Sequence, residues 1–180
     1  MLFRSQFVAR ECAGLAPGRA VDLACGEGRN AIWLAEQGWD ALGLDWSAVG
    51  LDKARALAEQ RGATTARFEV ADLTVDALDA GGFDLVVIAY LQIPAPERDT
   101  VLRNAAAAVA PGGTILVVAH DGHNLDEGTG GPQDAAVLYE PEDVVAHLDG
   151  FVVEIAEHVT RTVEGAERPA IDLLVRARRG

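Results

Sequence analysis

Polar side chains and one glycine-rich turn stand where the short apolar runs of this sequence end. In chain order, the runs end at Asp22 with the turn 25–28, Asp45, Asp72, Ala89-Tyr90 and His120-Asp121. Carboxylates accept hydrogen bonds from hydroxyl and cationic groups, and glycines let the backbone approach a ligand closely. This spacing indicates a site for a small ligand that carries hydroxyl and cationic groups.

The last of these pairs could act on a proton. His120 and Asp121 together predict an acid–base pair that orients or deprotonates a nucleophile, with Tyr90 on the same acceptor side. A histidine that is merely hydrogen-bonded at a strand end is the simpler alternative. His123 lies close in sequence, but a metal centre usually needs three or four protein ligands and no further ligand cluster is evident. We therefore expect no metal site.

The glycine-rich turn resembles a nucleotide-binding turn. Gly26, Gly28 and Ala31 satisfy a loose dinucleotide pattern, which an ordinary tight turn can also satisfy. Asp22 decides between ligands, because a carboxylate before the turn would repel a pyrophosphate and attract a cation. S-adenosylmethionine carries a sulfonium and an ammonium group and no phosphate. The residues therefore favour it over a nicotinamide dinucleotide.

Two later acids fit the same ligand. The two oxygens of Asp45 match the vicinal hydroxyls of a ribose, although Asp45 could also cap the helix that begins near Ser47. Asp72 could accept the amino group of an adenine, with Leu73 beside it, or could be a solvated loop acid. An acid at position 45 suits either cofactor, so it does not choose between them.

The elements that position these residues alternate between strands and helices. Apolar runs separated by helical stretches predict an α/β fold of the Rossmann-like, doubly wound type, with about seven strands. The last two runs have a short connection, so they predict an antiparallel hairpin at the sheet edge. We expect one domain over 1–180, with an N-terminal helix in 1–16 and an acceptor loop in 121–140.

Composition excludes several classes of protein. The 180 residues carry 28 acidic and 15 basic side chains, for a net charge of −13, which opposes nucleic acid and anionic membrane partners. Hydrophobic residues make up 49% of the chain, but no run is long enough to span a bilayer. Cys12 and Cys25 form no disulfide framework, so a cytoplasmic protein is expected.

The order of the motifs resembles that of class I S-adenosylmethionine-dependent methyltransferases. The chain looks most like the small bacterial group that includes tellurite-resistance and thiopurine methyltransferases. The motifs are 22–30 (DLACGEGRN), 43–47 (GLDWS), 71–73 (ADL), 84–86 (DLV) and 111–114 (PGGT). The subgroup is suggested by the Gly-Arg-Asn end of the first motif and by the His-Asp pair that ends the fifth strand.

The resemblance implies roles for the residues around the first turn. Asp22, Ala24 and Gly26 would hold the methionine moiety of the cofactor. Arg29 and Asn30 would lie near its carboxylate, although Arg29 could equally form a surface salt bridge.

The resemblance also assigns the nucleoside end of the cofactor. Asp45 would take the ribose hydroxyls, and Trp46 would pack on the adenine. Asp72 and Leu73 would read the adenine edge.

At the other end of the cofactor, Ala89 and Tyr90 would lie beside the transferred methyl group. The expected reaction gives S-adenosylhomocysteine and a methylated small molecule, whose acceptor atom belongs to a thiol, heterocycle, chalcogen oxyanion or hydroxyl.

Two alternative functions stay open, an NAD(P)-dependent oxidoreductase and a non-catalytic S-adenosylmethionine-binding module. The expected assembly is a monomer or homodimer.

One departure from the group concerns the N-terminus. Members of the group usually carry a further aromatic segment there, which folds over the cofactor. In this chain only Phe3 and Phe7 could replace it. We therefore expect an open cofactor cleft and weak turnover unless another element closes it.

Overall fold

The protein is described from a computed structural model that covers residues 5–180. The helices are α1 (Gln6–Cys12), α2 (Arg29–Glu36), α3 (Ala48–Arg61), α4 (Ala95–Ala108) and α5 (Pro141–Val145). The strands are β1 (Arg19–Leu23), β2 (Asp40–Asp45), β3 (Ala66–Val70), β4 (Phe83–Ala89), β5 (Val109–His120), β6 (Phe151–Arg161) and β7 (Ala170–Arg179). Short 3₁₀ turns span Gly122–Leu125 and Ala135–Val137.

All seven strands form one sheet in the order β3-β2-β1-β4-β5-β7-β6. Strands β1 to β5 pair in parallel, and β7 runs antiparallel to both of its neighbours. The predicted fold class is therefore confirmed, including the C-terminal hairpin. The β5–β7 register places His120 opposite Asp172, which brings the end of β5 beside the start of β7.

Helices cover both faces of the sheet, as the continuous apolar runs of β4 and β5 require. On one face, Val86 and Ile115 pack with α4 and α5 residues such as Val101. On the other face, Leu85 and Leu116 pack in a cluster to which α1, α2 and α3 contribute. Successive strand residues therefore point into two different layers, and this alternation decides which side chains meet at the strand ends.

Several local predictions are confirmed, and others shift at their boundaries. The Ser47 hydroxyl accepts a hydrogen bond from Gly50 N and begins α3, and Gly62 ends that helix with φ +67°. The Pro-Gly-Gly segment at 111–113 predicts the end of a helix and a strand from Thr114, but β5 already starts at Val109. Pro141 predicts a short helix through Leu148, but α5 ends at Val145. Short elements are limited by tertiary pairing, which a local pattern does not contain.

Within residues 5–180, no helix is both long enough and apolar enough to cross a membrane.

Candidate active site

The glycine-rich turn forms one wall of a cavity of about 780 Å³ at the carboxyl ends of the strands. Strand β1 ends at Leu23, and the chain turns sharply through Ala24 (φ +58°) and Gly26 (φ +56°) before α2 begins. Within residues 5–180, a Cβ atom at Gly26 would meet no other atom within 4 Å, so the described part of the chain leaves space over this backbone. The turn therefore presents main chain to a ligand, as its glycines predict.

Most of the predicted cofactor-binding residues lie in two neighbouring cavities. The larger is lined by Ala24, Gly26, Arg29, Asn30, Ala89 and Tyr90, among others. A smaller cavity of about 200 Å³ is lined by Asp45, Trp46, Asp72 and Leu73, together with apolar residues of the β4–α4 region. Ala24 lines both cavities, so one elongated ligand can occupy them together.

Asp45 holds the turn and still has capacity for a ligand. Its carboxylate is 6% exposed and accepts hydrogen bonds from Gly26 N and Ser47 N, both at 2.8 Å. A carboxylate has about four lone-pair positions, so two remain for the hydroxyls of a ribose. Asp45 does not cap α3, because the Ser47 hydroxyl does so; the Asp45 carboxylate stabilises the turn and remains open to a ribose.

Trp46 and Asp72 lie at the mouth of the smaller cavity. The Trp46 side chain is 82% exposed, which leaves its ring free to cover an adenine. Asp72 is exposed, and its Oδ1 accepts hydrogen bonds from Thr74 N at 3.0 Å and Thr74 Oγ1 at 2.6 Å. These bonds lower the pKa of Asp72, so it is an ionised acceptor.

Asp22 lies behind the turn and lines neither cavity. It is 1% exposed, its Oδ2 accepts a hydrogen bond from Ala31 N at 3.2 Å, and the Asn30 side chain also interacts with its carboxyl. Burial raises the pKa of Asp22 to about 7. Asp22 was predicted to contact a cationic cofactor directly. Instead, its buried carboxyl accepts a hydrogen bond from the first turn of α2.

These residues fit S-adenosylmethionine. Open space over Gly26 admits the methionine moiety, and the N-terminus of α2 with Arg29 suits its carboxylate. An apolar pocket beside an exposed tryptophan suits the adenine. The donor and acceptor groups of the site thus match the cofactor's chemistry.

A buried polar cluster closes the far side of the larger cavity. His120 Nδ1 lies 3.0 Å from Asp172 Oδ1, although the two atoms are not aligned as a hydrogen bond. Tyr90 Oη and Arg161 Nε both donate to Asp172 Oδ2 at 3.0 Å. The rings of Tyr90 and His120 are 5.0 Å apart. Asp172, which has no exposed surface, therefore fixes three side chains that line the cavity.

The ionisation of this cluster follows from its contacts. Burial opposes ionisation of Asp172, but contacts from His120, Arg161 and Tyr90 outweigh it and hold the pKa of Asp172 below its usual value. Burial, followed by the charge of Asp172, raises the pKa of Tyr90 to about 12. Tyr90 is therefore a neutral hydrogen-bond donor near pH 7, and its hydroxyl donates to Asp172 on the acceptor side of the cavity. His120 is the remaining base candidate at this wall.

The predicted pairing of His120 with Asp121 in the acceptor pocket is wrong. Neighbouring residues at a strand end point to opposite faces of a sheet. His120 points to the α1–α2 face with the cavity, whereas Asp121 is fully buried and contacts His123 and His158 instead. The carboxylate partner of His120 is Asp172, from β7.

Sequence reasoning missed Arg161 and Asp172. Both lie in the C-terminal hairpin, and their contact with His120 depends on the antiparallel pairing of β7 with β5. One signal was present, since Asp172 is the single acidic residue of β7 and interrupts the apolar run 170–175.

Of the two aromatic residues that could replace a lid, Phe7 does not line the larger cavity. Phe7 is 2% exposed and packs in the core beneath α1, and Phe3 lies outside the described residues. Ser5 and Gln6 line the larger cavity instead, and Ser5 N donates to Asn30 Oδ1 at 3.1 Å. Polar atoms at the start of α1 therefore border the site.

Comparison with known proteins agrees with this geometry. Residues 20–113, just over half of the chain, match the family described as "Methyltransferase domain". The chain belongs to this methyltransferase family. Membership confirms the class I assignment and S-adenosylmethionine as the cofactor, and it does not favour the nicotinamide alternative. Residues 20–113 include the turn and the ends of β1 to β4, which carry the cofactor-side residues.

Three relatives illustrate the likeness. The chain is 30% identical to 2-heptyl-1-hydroxyquinolin-4(1H)-one methyltransferase of Mycobacteroides abscessus, covering 72% of this chain and 56% of that protein. It is 30% identical to the ubiquinone biosynthesis O-methyltransferase of Acinetobacter baylyi, covering 63% of this chain and 48% of that protein. A Methanosarcina mazei methyltransferase structure has a TM-score of 0.76 at 17% identity, covers 99% of each chain and shows the shared fold. The chain spans about half the length of the two curated methyltransferases.

Proposed function

We propose that the protein transfers a methyl group from S-adenosylmethionine to a hydroxyl of a small aromatic or heteroaromatic acceptor. The observation that carries this proposal is the larger cavity, which has the cofactor turn on one side and the His120–Asp172 pair on the other. Its volume of about 780 Å³ suits a small molecule beside the methionine end of the cofactor.

The cofactor supplies the chemistry, because its sulfonium makes the methyl group electrophilic. The protein then has to bind, align and activate the acceptor. Asp45 and Trp46 hold the nucleoside, and Arg29 with the N-terminus of α2 binds the carboxylate. Since His120 Nδ1 faces Asp172, Nε2 is the ring nitrogen left to accept the acceptor's proton. Tyr90 donates to Asp172 and keeps that carboxylate in place.

The acceptor class is supported by the relatives. One is named for a hydroxyquinolinone and another is an O-methyltransferase. A hydroxyl needs activation more than a thiolate does, and the His120–Asp172 pair provides a candidate base. Membership of the tellurite-resistance and thiopurine group rests on the motif features alone, so thiol and chalcogen oxyanion acceptors are the alternatives.

A substrate panel tests the proposal. Purified protein with S-adenosylmethionine should form S-adenosylhomocysteine and a methylated product with hydroxylated quinolones or phenols, measured by mass spectrometry. Faster methyl transfer to thiols, or to selenite and tellurite, would show that the acceptor is a thiol or a chalcogen oxyanion and not a hydroxyl. Cofactor binding without transfer to any member of the panel would favour a non-catalytic binding module.

Replacing Asp45 with alanine should weaken binding of S-adenosylhomocysteine by roughly 1.5–3 kcal/mol, or about 10- to 150-fold, because hydrogen bonds to a charged carboxylate are lost. Isothermal titration measures the change. Asp45→Asn, which keeps one acceptor oxygen, should lose less. Asp52→Ala is the matched control, since that acid is exposed on α3 and lines neither cavity. Unchanged affinity in a folded Asp45→Ala variant would contradict the ribose assignment.

A further inference from the structure

Four side chains that could bind a metal meet at the base of the 121–140 loop. Asp121 follows β5, His123 lies in the first 3₁₀ turn, Glu140 precedes α5 and His158 lies on β6. We call these four residues the loop-base cluster. Each residue offers one ligand atom, and the four atoms lie within 4.8 Å of one another. The cluster lies on the opposite face of the sheet from His120, so it is separate from the methyl-transfer cavity.

The distances suit one small cation. His123 Nδ1 is 2.8 Å from Asp121 Oδ1 and 3.4 Å from Glu140 Oε2. His158 Nδ1 is 2.6 Å from Asp121 Oδ2 and 3.7 Å from Glu140 Oε2. In a tetrahedral zinc site with bonds of about 2.0–2.2 Å, neighbouring ligand atoms are about 3.3 Å apart. These four separations lie on both sides of this value, and all four ligand atoms lie within 4.8 Å of one another. Binding an ion then replaces the two hydrogen bonds between the imidazoles and Asp121.

The surroundings of the cluster also favour a cation. The two carboxylates balance a double positive charge, and the two imidazoles turn the same ring nitrogen, Nδ1, towards them. Asp121 is fully buried, whereas the side chains of His123, His158 and Glu140 are 52%, 46% and 37% exposed. Asp121 is therefore the buried ligand of the cluster, and the other three ligands are accessible to solvent, so an ion can enter from that side.

Gly122 provides the space for the second carboxylate. A Cβ atom at Gly122 would collide with Glu140 Oε1. Asp121 and Tyr139 form a parallel bridge, which holds the two ends of the loop side by side. The backbone thus brings residues 121 and 140 together without help from an ion, and the ligand atoms need no large rearrangement.

We propose that the loop-base cluster binds one Zn²⁺ ion and thereby ties both ends of the 121–140 loop to β6. Two imidazole nitrogens and two carboxylate oxygens are a suitable ligand set for this ion. The loop packs beside the cavity, because Gly131 lies against the His120 ring and Gln92 links His120 N to Val137 O. Zinc therefore holds in place the loop that borders the acceptor.

Direct metal binding tests the site. Chelator-treated protein is titrated with Zn²⁺ alone, and the parent should bind one ion per chain. His123→Gln and His158→Gln should each weaken binding by at least about 100-fold, more than the loss of an outer partner costs. His147→Gln is the matched control, since His147 pairs with Asp99 outside the cluster. Circular dichroism checks that each variant is folded.

Two results would overturn the site. The first is a parent protein that binds no stoichiometric zinc. The second is zinc binding that falls equally in all three histidine variants, or in none of them.

Limited proteolysis tests whether zinc restrains the 121–140 loop. Glu127 is exposed within the loop, so a glutamate-specific protease should cut there. Zinc should slow this cleavage at least tenfold in the parent and in His147→Gln, but leave it unchanged in His158→Gln. Zinc binding with no change in cleavage of the parent would show that the ion does not restrain the loop.

Discussion

Replacing His120 with alanine should lower kcat by about 100-fold or more while changing cofactor affinity by less than about tenfold. General-base catalysis typically contributes 10²–10⁴-fold, and His120 is the base candidate at the acceptor wall. The cofactor contacts are assigned to the turn and to the ends of β1 to β4, so they should survive the change. Steady-state kinetics and titration with S-adenosylhomocysteine measure the two quantities separately.

Two further variants sharpen this test. Asp172→Asn should lower kcat through the position of His120, since the carboxylate lies 3.0 Å from Nδ1. His147→Ala, on the opposite face, should leave kcat unchanged. Equal losses of turnover and cofactor affinity in His120→Ala would indicate a structural role for His120. Full turnover in that variant would exclude a catalytic one.

Replacing Asp22 with asparagine should make the protein more stable than the parent at pH 8, by up to about 4 kcal/mol, with little difference near pH 4. Burial raises the pKa of Asp22 to about 7, above the ordinary value near 3.9. The folded chain therefore binds more protons than the unfolded chain between these values, and stability is lost as pH rises through this window. Each pH unit in the window is worth about 1.4 kcal/mol.

Chemical denaturation of both proteins from pH 4 to pH 8 measures this difference in the free energy of unfolding. Asparagine keeps an oxygen that can accept from Ala31 N, so the start of α2 should be preserved. The control Asp52→Asn makes the same change at an exposed acid on α3. A constant difference between Asp22→Asn and the parent at all pH values would contradict the raised pKa of Asp22.

The sheet and the cofactor side of the site were predictable because their signals are local. A turn such as 25–28, an acid at a strand end such as Asp45 and a hydroxyl cap such as Ser47 each act within a few residues. Parallel strands then bring their carboxyl ends to one edge whatever the details of packing. The placement of Asp45 and Trp46 beside one cavity follows from that rule alone.

The acceptor side was not predictable in the same way, because it depends on long-range register. Asp172 reaches His120 only through the antiparallel pairing of β7 with β5. The interpretation of His120 and Asp121 as a pair ignored the alternation of side chains at a strand end. The loop-base cluster was missed for a related reason, since Glu140 and His158 are far from His123 in the sequence.

The two walls of the larger cavity come from different parts of the chain. One wall is built by the start of α1, the β1–α2 turn and the end of β4, whereas His120, Arg161 and Asp172 belong to β5, β6 and β7. Substitutions in residues 114–180 can therefore change the wall that carries His120 without touching the turn at 24–30 that forms the opposite wall.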